Sequence, residues 1–228
     1  MASDIAGNST TTPVLPVNMG SAGNDLLFGG PLAGMLIGGA GNDLYVVTNA
    51  GDVVVEDVGG GSDAILAAVG YTLPALSEIE FLSAYTGATG IVLTGNEFAN
   101  VIVGGAGSDT VSGGGAADIL FGGVGVDIFG FAALSDSTVA APDLLADFAA
   151  AAGEVIDLSL LDANTGLEGN QAFSFLGSGA FSGVAGQLRQ EAAGSNTMVL
   201  GDVNGDSVAD FGIALNGVQT LNGSNFVL

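Results

Sequence analysis

Aspartates recur in this chain at a spacing that suits them to hold a cation between neighbouring turns. From Gly104 to Gly130 three nine-residue units follow without a gap, GGAGSDTVS, GGGAADILF and GGVGVDIFG, each with an aspartate at its sixth position: Asp109, Asp118 and Asp127. If nine residues make half a turn of a coil, Asp109 and Asp127, eighteen residues apart, stand on one edge, separated by one strand spacing of about 4.8 Å. Calcium takes oxygen ligands at about 2.3–2.6 Å and fits between two such carboxylates, with glycine-turn carbonyls completing its shell of six or more ligands. Magnesium demands a near-ideal octahedron at about 2.0–2.1 Å and fits less well. Without a cation, the stacked carboxylates repel each other.

A second block over residues 20–46 reads GSAGNDLLF, GGPLAGMLI, GGAGNDLYV, and its outer units carry Asp25 and Asp43, again eighteen apart. They predict a second calcium site. The middle unit has Leu32 where glycine belongs and Gly34 where aspartate belongs, so the opposite edge is expected to lack a ligand there. At residue 95 the unit GNEFANVIV places Asn100 in the aspartate position, eighteen residues before Asp118. That pair would hold calcium more weakly, with one charge missing, and Asp127→Ala is expected to cost more than Asp118→Ala. Turn chemistry alone also favours aspartate after glycine, because its side chain caps a turn. Aspartate nevertheless takes the sixth position in five units, which Lys, Arg and His never do, and this favours the calcium reading.

The elements that must position these acids follow from the same units. Glycine permits the positive φ of a tight turn, and the apolar triplet after each aspartate fits a short strand. One unit cannot bury its apolar residue alone, so units stack as an all-β parallel β-roll, two units per turn. Leu36 occupies the eighth position between Leu27 and Tyr45 and is expected to stack inside the roll. Over residues 47–94 the register is lost, but Val53 to Val55, Ala64 to Val69, Glu78 to Leu82 and Ile91 to Thr94 read as strands of longer, irregular coils of the same solenoid. Asp52, Glu56, Asp57, Asp63, Glu78 and Glu80 lie in this spacer and read as solvated edge charges, with a further cation site as the alternative.

Residues 131–228 read as an antiparallel β cap, on the alternation in Phe173/Phe175, Met198/Leu200 and Phe211/Ile213/Leu215. A turn is expected at Ala141-Pro142, a short helix across Asp143 to Ala150 and a strand at Val155 to Leu158. Asp202, Asn204, Asp206 and Asp210 resemble the start of an EF-hand loop, but Ser207 stands in place of its glycine and Ile213 in place of its closing glutamate. A strand-connecting loop is the preferred reading, with Arg189 as an ion-pair partner for one of its acids. The organisation is thus a flexible leader over 1–19, with a short strand around Val14–Val17, then a roll over 20–130 and a cap over 131–228.

Composition limits the chemistry. The 228 residues include 24 acids and a single base, Arg189, for a formal charge of −23. Such a chain cannot neutralise phosphates, which argues against nucleic acid and anionic lipid as partners. With 48% hydrophobic residues it is expected to fold, its acids neutralised by something bound. Cysteine, histidine and lysine are absent, which rules out disulfides, thiolate or imidazole metal sites, Ser-His-Asp catalysis, the HExxH zinc motif and Schiff-base chemistry. The first twenty residues have neither a basic region nor an apolar core, unlike a Sec-type signal.

The nonapeptides closely resemble the RTX, or hemolysin-type, repeat, GGxGxD followed by an apolar triplet. From Gly104 to Leu228 the chain is similar to the carboxy-terminal β-roll domain of the serralysin metalloproteases. The similarity is carried by Gly122 to Phe131, Ser135-Asp-Ser137, Pro142-Asp143 with Asp147-Phe148, Ile156-Asp-Leu-Ser159, Ala172-Phe-Ser-Phe175, Ala180-Phe-Ser-Gly183, Gln187-Leu-Arg189, Gly201-Asp-Val-Asn-Gly-Asp206 and Phe226 to Leu228. This resemblance implies a secreted bacterial protein, exported by type I (ABC transporter) machinery through an uncleaved carboxy-terminal signal and folding on extracellular calcium, without insertion into a membrane. Asn225 stands where the family pattern has an acid before its terminal apolar residues. Nothing here can build the serralysin zinc protease domain. The reading is therefore a non-enzymatic calcium-binding protein, a surface or matrix component, with a secretion and folding module of a larger protease, lipase or epimerase as the alternative.

Overall fold

The computed structural model describes residues 15–228. Glycine-rich turns alternate with very short strands: β1 (Val17–Met19), β2 (Leu26–Phe28), β3 (Met35–Ile37), β4 (Leu44–Val47), β5 (Val53–Val55), β6 (Ala64–Ala67), β7 (Tyr71–Thr72), β8 (Phe81–Ala84), β9 (Val92–Thr94) and β10 (Val101–Ala106). The series continues with β11 (Thr110–Ser112), β12 (Ile119–Val124), β13 (Ile128–Gly130), β14 (Asp143–Leu145), β15 (Val155–Asp157), β16 (Ser174–Phe175), β17 (Gln187–Ala193), β18 (Asn196–Asp202), β19 (Phe211–Leu215) and β20 (Phe226–Val227). Successive strands go to opposite faces, so even-numbered strands of the roll share one sheet and odd-numbered strands share the other two. No helix of the described residues is long and apolar enough to cross a membrane.

The large sheet has eleven strands in the order β16-β17-β18-β19-β14-β12-β10-β8-β6-β4-β2. Opposite it lie a three-stranded sheet, β1-β3-β5, and a six-stranded sheet, β20-β15-β13-β11-β9-β7. Pairing through the roll is parallel and in repeat register, with Leu27 beside Tyr45, Ile102 beside Leu120 and Val111 beside Phe129. The eighth residue of each unit points inward because side chains alternate across a strand, and Leu27, Leu36, Tyr45, Ile102, Val111, Leu120 and Phe129 are all buried. Leu36 is buried inside the roll as expected, stacking on Val54 in the three-stranded sheet, while Leu27 and Tyr45 stack on each other in the large sheet.

The irregular spacer continues the solenoid as expected, with β6 and β8 in the large sheet and β7 and β9 opposite. Where the two smaller sheets break between β5 and β7, the Val54 N–H donates to the Tyr71 hydroxyl at 3.2 Å. Beyond the repeats the roll does not stop at residue 130. Asp143–Leu145 form β14, parallel to β12, where a helix was expected. The reason is local: Asp143-Leu144-Leu145 repeats the acid-apolar-apolar end of a unit without its glycines, and its burial alternates as in a strand. Only a 3₁₀ turn follows, at Ala150–Ala152.

Two of the three stretches expected to be antiparallel are so, since β17 pairs with β18 and β18 with β19; the third, around Phe173/Phe175, forms β16 and instead pairs in parallel with β17. The cap joins the roll edge to edge, because β19 pairs in parallel with β14. Phe129 meets Phe148, and Phe131 meets Phe211, edge to face with ring centres 5.8 Å apart, sealing the last layers. At the other end, residues 1–14 of the expected leader lie outside the described residues; Val17–Met19 form β1, paired with β3, rather than flexible chain.

Candidate metal centre

Each predicted acid sits at the end of a glycine turn, immediately before a strand, so its carboxylate folds back under its own turn. Glycine is required there by contact. At Gly104 an added Cβ would lie 2.6 Å from the Gly122 carbonyl and 3.1 Å from Asp109 Oδ2. At Gly20 it would lie 2.5 Å from the Gly38 carbonyl and 2.8 Å from Asp25 Oδ2. At Gly95 it would strike the Gly113 carbonyl and Asn100 Oδ1. The same cradle thus recurs: the space beside a unit's first glycine is bordered by the carboxylate or amide oxygen of that unit and by the first-glycine carbonyl of the unit eighteen residues on.

The structure brings together the three pairs expected from spacing. The Asp25 N–H donates to Asp43 Oδ1 at 2.8 Å, Asp109 N–H to Asp127 Oδ1 at 2.9 Å, and Asn100 N–H to Asp118 Oδ1 at 2.7 Å. Asp43, Asp109, Asp118, Asp127 and Asn100 are buried, and Asp25 is half-buried at the open end. Asp25 Oδ2 accepts from Ser21 N–H and Oγ. By contrast, the outer oxygens of Asp43, Asp109, Asp118 and Asp127 are buried without a hydrogen-bond partner among the described residues. Leaving a buried carboxylate oxygen unpaired costs several kcal/mol unless something supplies positive charge. The chain's single base, Arg189, pairs with Glu191 at 2.8 Å rather than with the acids of the Asp202–Asp210 loop, because the two residues lie two apart on the same face of β17.

The acid column is longer than the repeats suggest. In the large sheet the Asp43 N–H donates to Asp63 Oδ1, Asp63 N–H to Glu80 Oε2, and Asp118 N–H to Asp143 Oδ1. Opposite Asp43, the edge expected to lack a ligand at Gly34 holds Asp52, whose Oδ1 accepts from the Gly34 N–H and whose Oδ2 accepts from Thr48 and Asn49 N–H. Asp52, Glu56 and Asp63 are buried, which corrects the reading of these three as solvated charges. Repeat counting missed them because coil length varies: Asp63 follows Asp43 by 20 residues and Glu80 follows Asp63 by 17. A visible signal existed in Gly59-Gly60-Gly61-Ser62-Asp63 followed by Ala64-Ile65-Leu66, a unit out of phase with its neighbours.

Burial dominates the electrostatics. It pushes the Asp118 carboxyl up to about 6, with Asp136 adding repulsion, and Asp143 up to about 8, with Asp118 and Asp136 adding to it. Asp127 and Glu154 are raised in the same way, Asp127 by burial and then by Asp109 and Asp147. The Asp202–Asp210 loop differs. Asp202 accepts from Asn204, Gly205 and Ser207 N–H, and Asp210 from Val203 N–H and Asn204 Nδ2, so the turn satisfies its own acids. Ser207 takes the left-handed conformation, φ 69°, that the missing glycine would have supplied.

A parallel solenoid with columns of buried carboxylates under glycine turns is a β-roll of the RTX type. The chain belongs to the Peptidase M10 serralysin C-terminal family, whose model matches residues 5–228. Among curated proteins it is similar to the endo-1,3-1,4-beta-glycanase ExsH of Rhizobium meliloti (strain 1021), 37% identical over 94 residues, which are 41% of this chain and 19% of that protein. Among solved structures it is similar to the AlgE6R3 subunit of the Azotobacter vinelandii mannuronan C5-epimerase, at 19% identity and TM-score 0.37, covering 96% of this chain and 86% of that one. The AlgE6R2 subunit of that epimerase gives 20% identity and TM-score 0.39, over 94% and 92% of the two chains.

Proposed function

We propose that this chain is a calcium-binding β-roll that is exported unfolded through type I (ABC) secretion machinery and folds on extracellular calcium. Asp25 with Asp43, Asp109 with Asp127, and Asn100 with Asp118 would hold the ions. The observation that carries the reading is the set of buried outer oxygens on Asp43, Asp109, Asp118 and Asp127 that no donor satisfies. The donor set is oxygen only, carboxylates with turn carbonyls beside them, which suits calcium and not zinc. When bound, the ion supplies the positive charge that the sequence lacks, and it stabilises the fold by mass action. Affinities of about 10⁻⁴–10⁻³ M, those of extracellular calcium modules, leave such sites free in the cytosol and filled outside.

Export before folding is supported at the chain's end. Phe226–Val227 form β20 against β15, and Asn225 is buried, donating from Nδ2 to the Ala150 carbonyl at 3.1 Å. Folding therefore packs Asn225 and Phe226 of this segment into the structure, and an unfolded chain presents them freely. Far-UV circular dichroism during a calcium titration tests the reading: little β signal in EGTA and a cooperative gain at submillimolar to millimolar calcium. An unchanged spectrum would refute it.

In this reading the roll itself is non-enzymatic, a surface or matrix component, with the repeats over 20–130 and the cap and secretion region, into which the parallel roll continues, over 131–228. A second reading, the secretion and folding module of a larger secreted enzyme, is favoured by the match to only 19% of a glycanase. Purified chain should hydrolyse neither casein, lipid nor polysaccharide; turnover of any of these would overturn the non-enzymatic reading.

A further inference from the structure

One acidic cluster in the spacer has a composition unlike the repeat edges. Asp43, Glu56 and Asp63 each offer a carboxylate oxygen, and these lie within 4.8 Å of one another. All three side chains are more than nine-tenths buried, at 2%, 6% and 1% exposure. Half of their oxygens are satisfied: Asp43 Oδ1 accepts from Asp25 N–H, Asp63 Oδ1 from Asp43 N–H, and Glu56 Oε2 from the Tyr45 hydroxyl. The other half, Asp43 Oδ2, Glu56 Oε1 and Asp63 Oδ2, have no partner among the described residues.

We propose a further divalent-cation site of calcium type, which rests on the calcium reading of the roll and is formed by Asp43, shared with the Asp25 pair, together with Glu56 and Asp63 beside the Tyr45 hydroxyl. Glu56 belongs to no repeat unit, so this site goes beyond the paired repeat edges. At Gly38 the cradle differs from the others: an added Cβ would meet Asp43 Oδ2, the Tyr45 hydroxyl and Glu56 Oε2 instead of a carbonyl from the following turn. At Gly60 it would strike Glu56 Oε1 and lie 3.0 Å and 3.1 Å from the Gly39 and Asp57 carbonyls, which border the same space. Donors drawn from several separate segments suit the flexible, higher coordination of calcium better than the strict octahedron of magnesium. A monovalent ion would leave two of three buried charges uncompensated.

The placement gives the site a structural task. Asp43 and Asp63 precede strands of the eleven-stranded sheet, whereas Glu56 follows β5 of the three-stranded sheet. An ion there ties the two sheets together where coil length changes from 18 residues (Asp25 to Asp43) to 20 (Asp43 to Asp63). It fastens the irregular spacer to the first repeat block.

The test uses the full chain and two probes, calcium for stoichiometry and Tb³⁺ for proximity. Tb³⁺ is a hard, oxygen-seeking ion excited through nearby tyrosine. The chain has three tyrosines and no tryptophan, and Tyr45 alone among them hydrogen-bonds a ligand of the proposed site. Glu56→Gln should bind one calcium ion fewer per chain, or bind it about tenfold or more weakly. Tyr45→Phe should lose most tyrosine-sensitised Tb³⁺ emission. Wild-type stoichiometry and affinity in Glu56→Gln would overturn the proposal. If Glu56→Gln does not fold at saturating calcium, Tyr45→Phe decides in an Asp25→Asn background, where the edge pair that shares Asp43 is broken: loss of emission supports the site and undiminished emission overturns it. Asp127→Asn separates this site from the repeat edges, since it should lose a calcium ion while keeping Tyr45-sensitised emission; wild-type calcium binding in Asp127→Asn would count against the repeat-edge sites and leave this one standing.

Discussion

At the scale of single residues, the consequence of burying acids without bases is an inverted pH dependence. In the metal-free fold Asp118, Glu56 and Asp143 titrate at about 6, 7 and 8, each raised first by burial. In the unfolded chain carboxyls titrate near 4. Between these values the folded state binds more protons, so stability rises as pH falls from about 8 toward about 4 and is lost as pH climbs through the folded values. In EGTA the far-UV β signal, small at pH 8, should therefore be larger at pH 5. In saturating calcium the thermal midpoint should instead be higher at pH 8 than at pH 5, because protons and the ion compete for the same oxygens. A metal-free chain that is less stable at pH 5 than at pH 8 would contradict the burial of these groups. The residue scale also revises the ranking of Asp127 over Asp118. Asp118 neighbours Asn100 on one side, but its own N–H donates to Asp143 on the other, so it is not an isolated charge. Calcium titrations should show Asp118→Ala and Asp127→Ala each raising the midpoint by about tenfold, without the difference that the Asn100 pairing alone suggests.

Among elements, the junction of β14 with β19 decides whether roll and cap unfold together. Ser137 is fully buried there: its hydroxyl donates to the Gly212 carbonyl at 2.5 Å and accepts from Asp143 N–H at 2.9 Å. Ser137→Ala leaves both backbone groups unpaired, and a cost of about 1–3 kcal/mol is expected in thermal or denaturant unfolding. Arg189 provides the contrast. Its pair with Glu191 is partly exposed, and its guanidinium lies 5.5 Å from the centre of the Phe181 ring. Arg189→Gln should cost no more than about 1 kcal/mol, despite removing the only base. A large loss from Arg189→Gln would show that the cap depends on that charge.

For the whole molecule, net charge sets the metal-free state. At −23, self-repulsion opposes every compact form until cations bind. Raising NaCl from about 10 mM to about 1 M shortens the screening length from about 30 Å to about 3 Å. In EGTA this should shrink the chain in small-angle scattering without restoring the β signal that millimolar calcium gives. Screening relieves repulsion between turns, but it supplies no ligand to oxygens buried inside them. Recovery of the full β signal by NaCl alone would mean that charge relief, and not specific binding, drives folding.

The sequence by itself determined the repeat, the parallel stacking, the three eighteen-residue pairs and the antiparallel end. These rest on local physics: glycine where a carboxylate fills the space of a Cβ, an apolar eighth residue that must be buried, and a constant period that fixes register. Only the tertiary structure decided what lay outside that period. Asp63, Glu80 and Asp143 join the acid column although their coils are 20, 17 and 25 residues long, because a solenoid keeps strands in register and lets loops absorb the difference. Glu56 reaches Asp43 from the opposite sheet, a contact that no period encodes. Which oxygens are left unpartnered is likewise a property of the folded chain, since it depends on where each neighbouring turn sends its N–H groups.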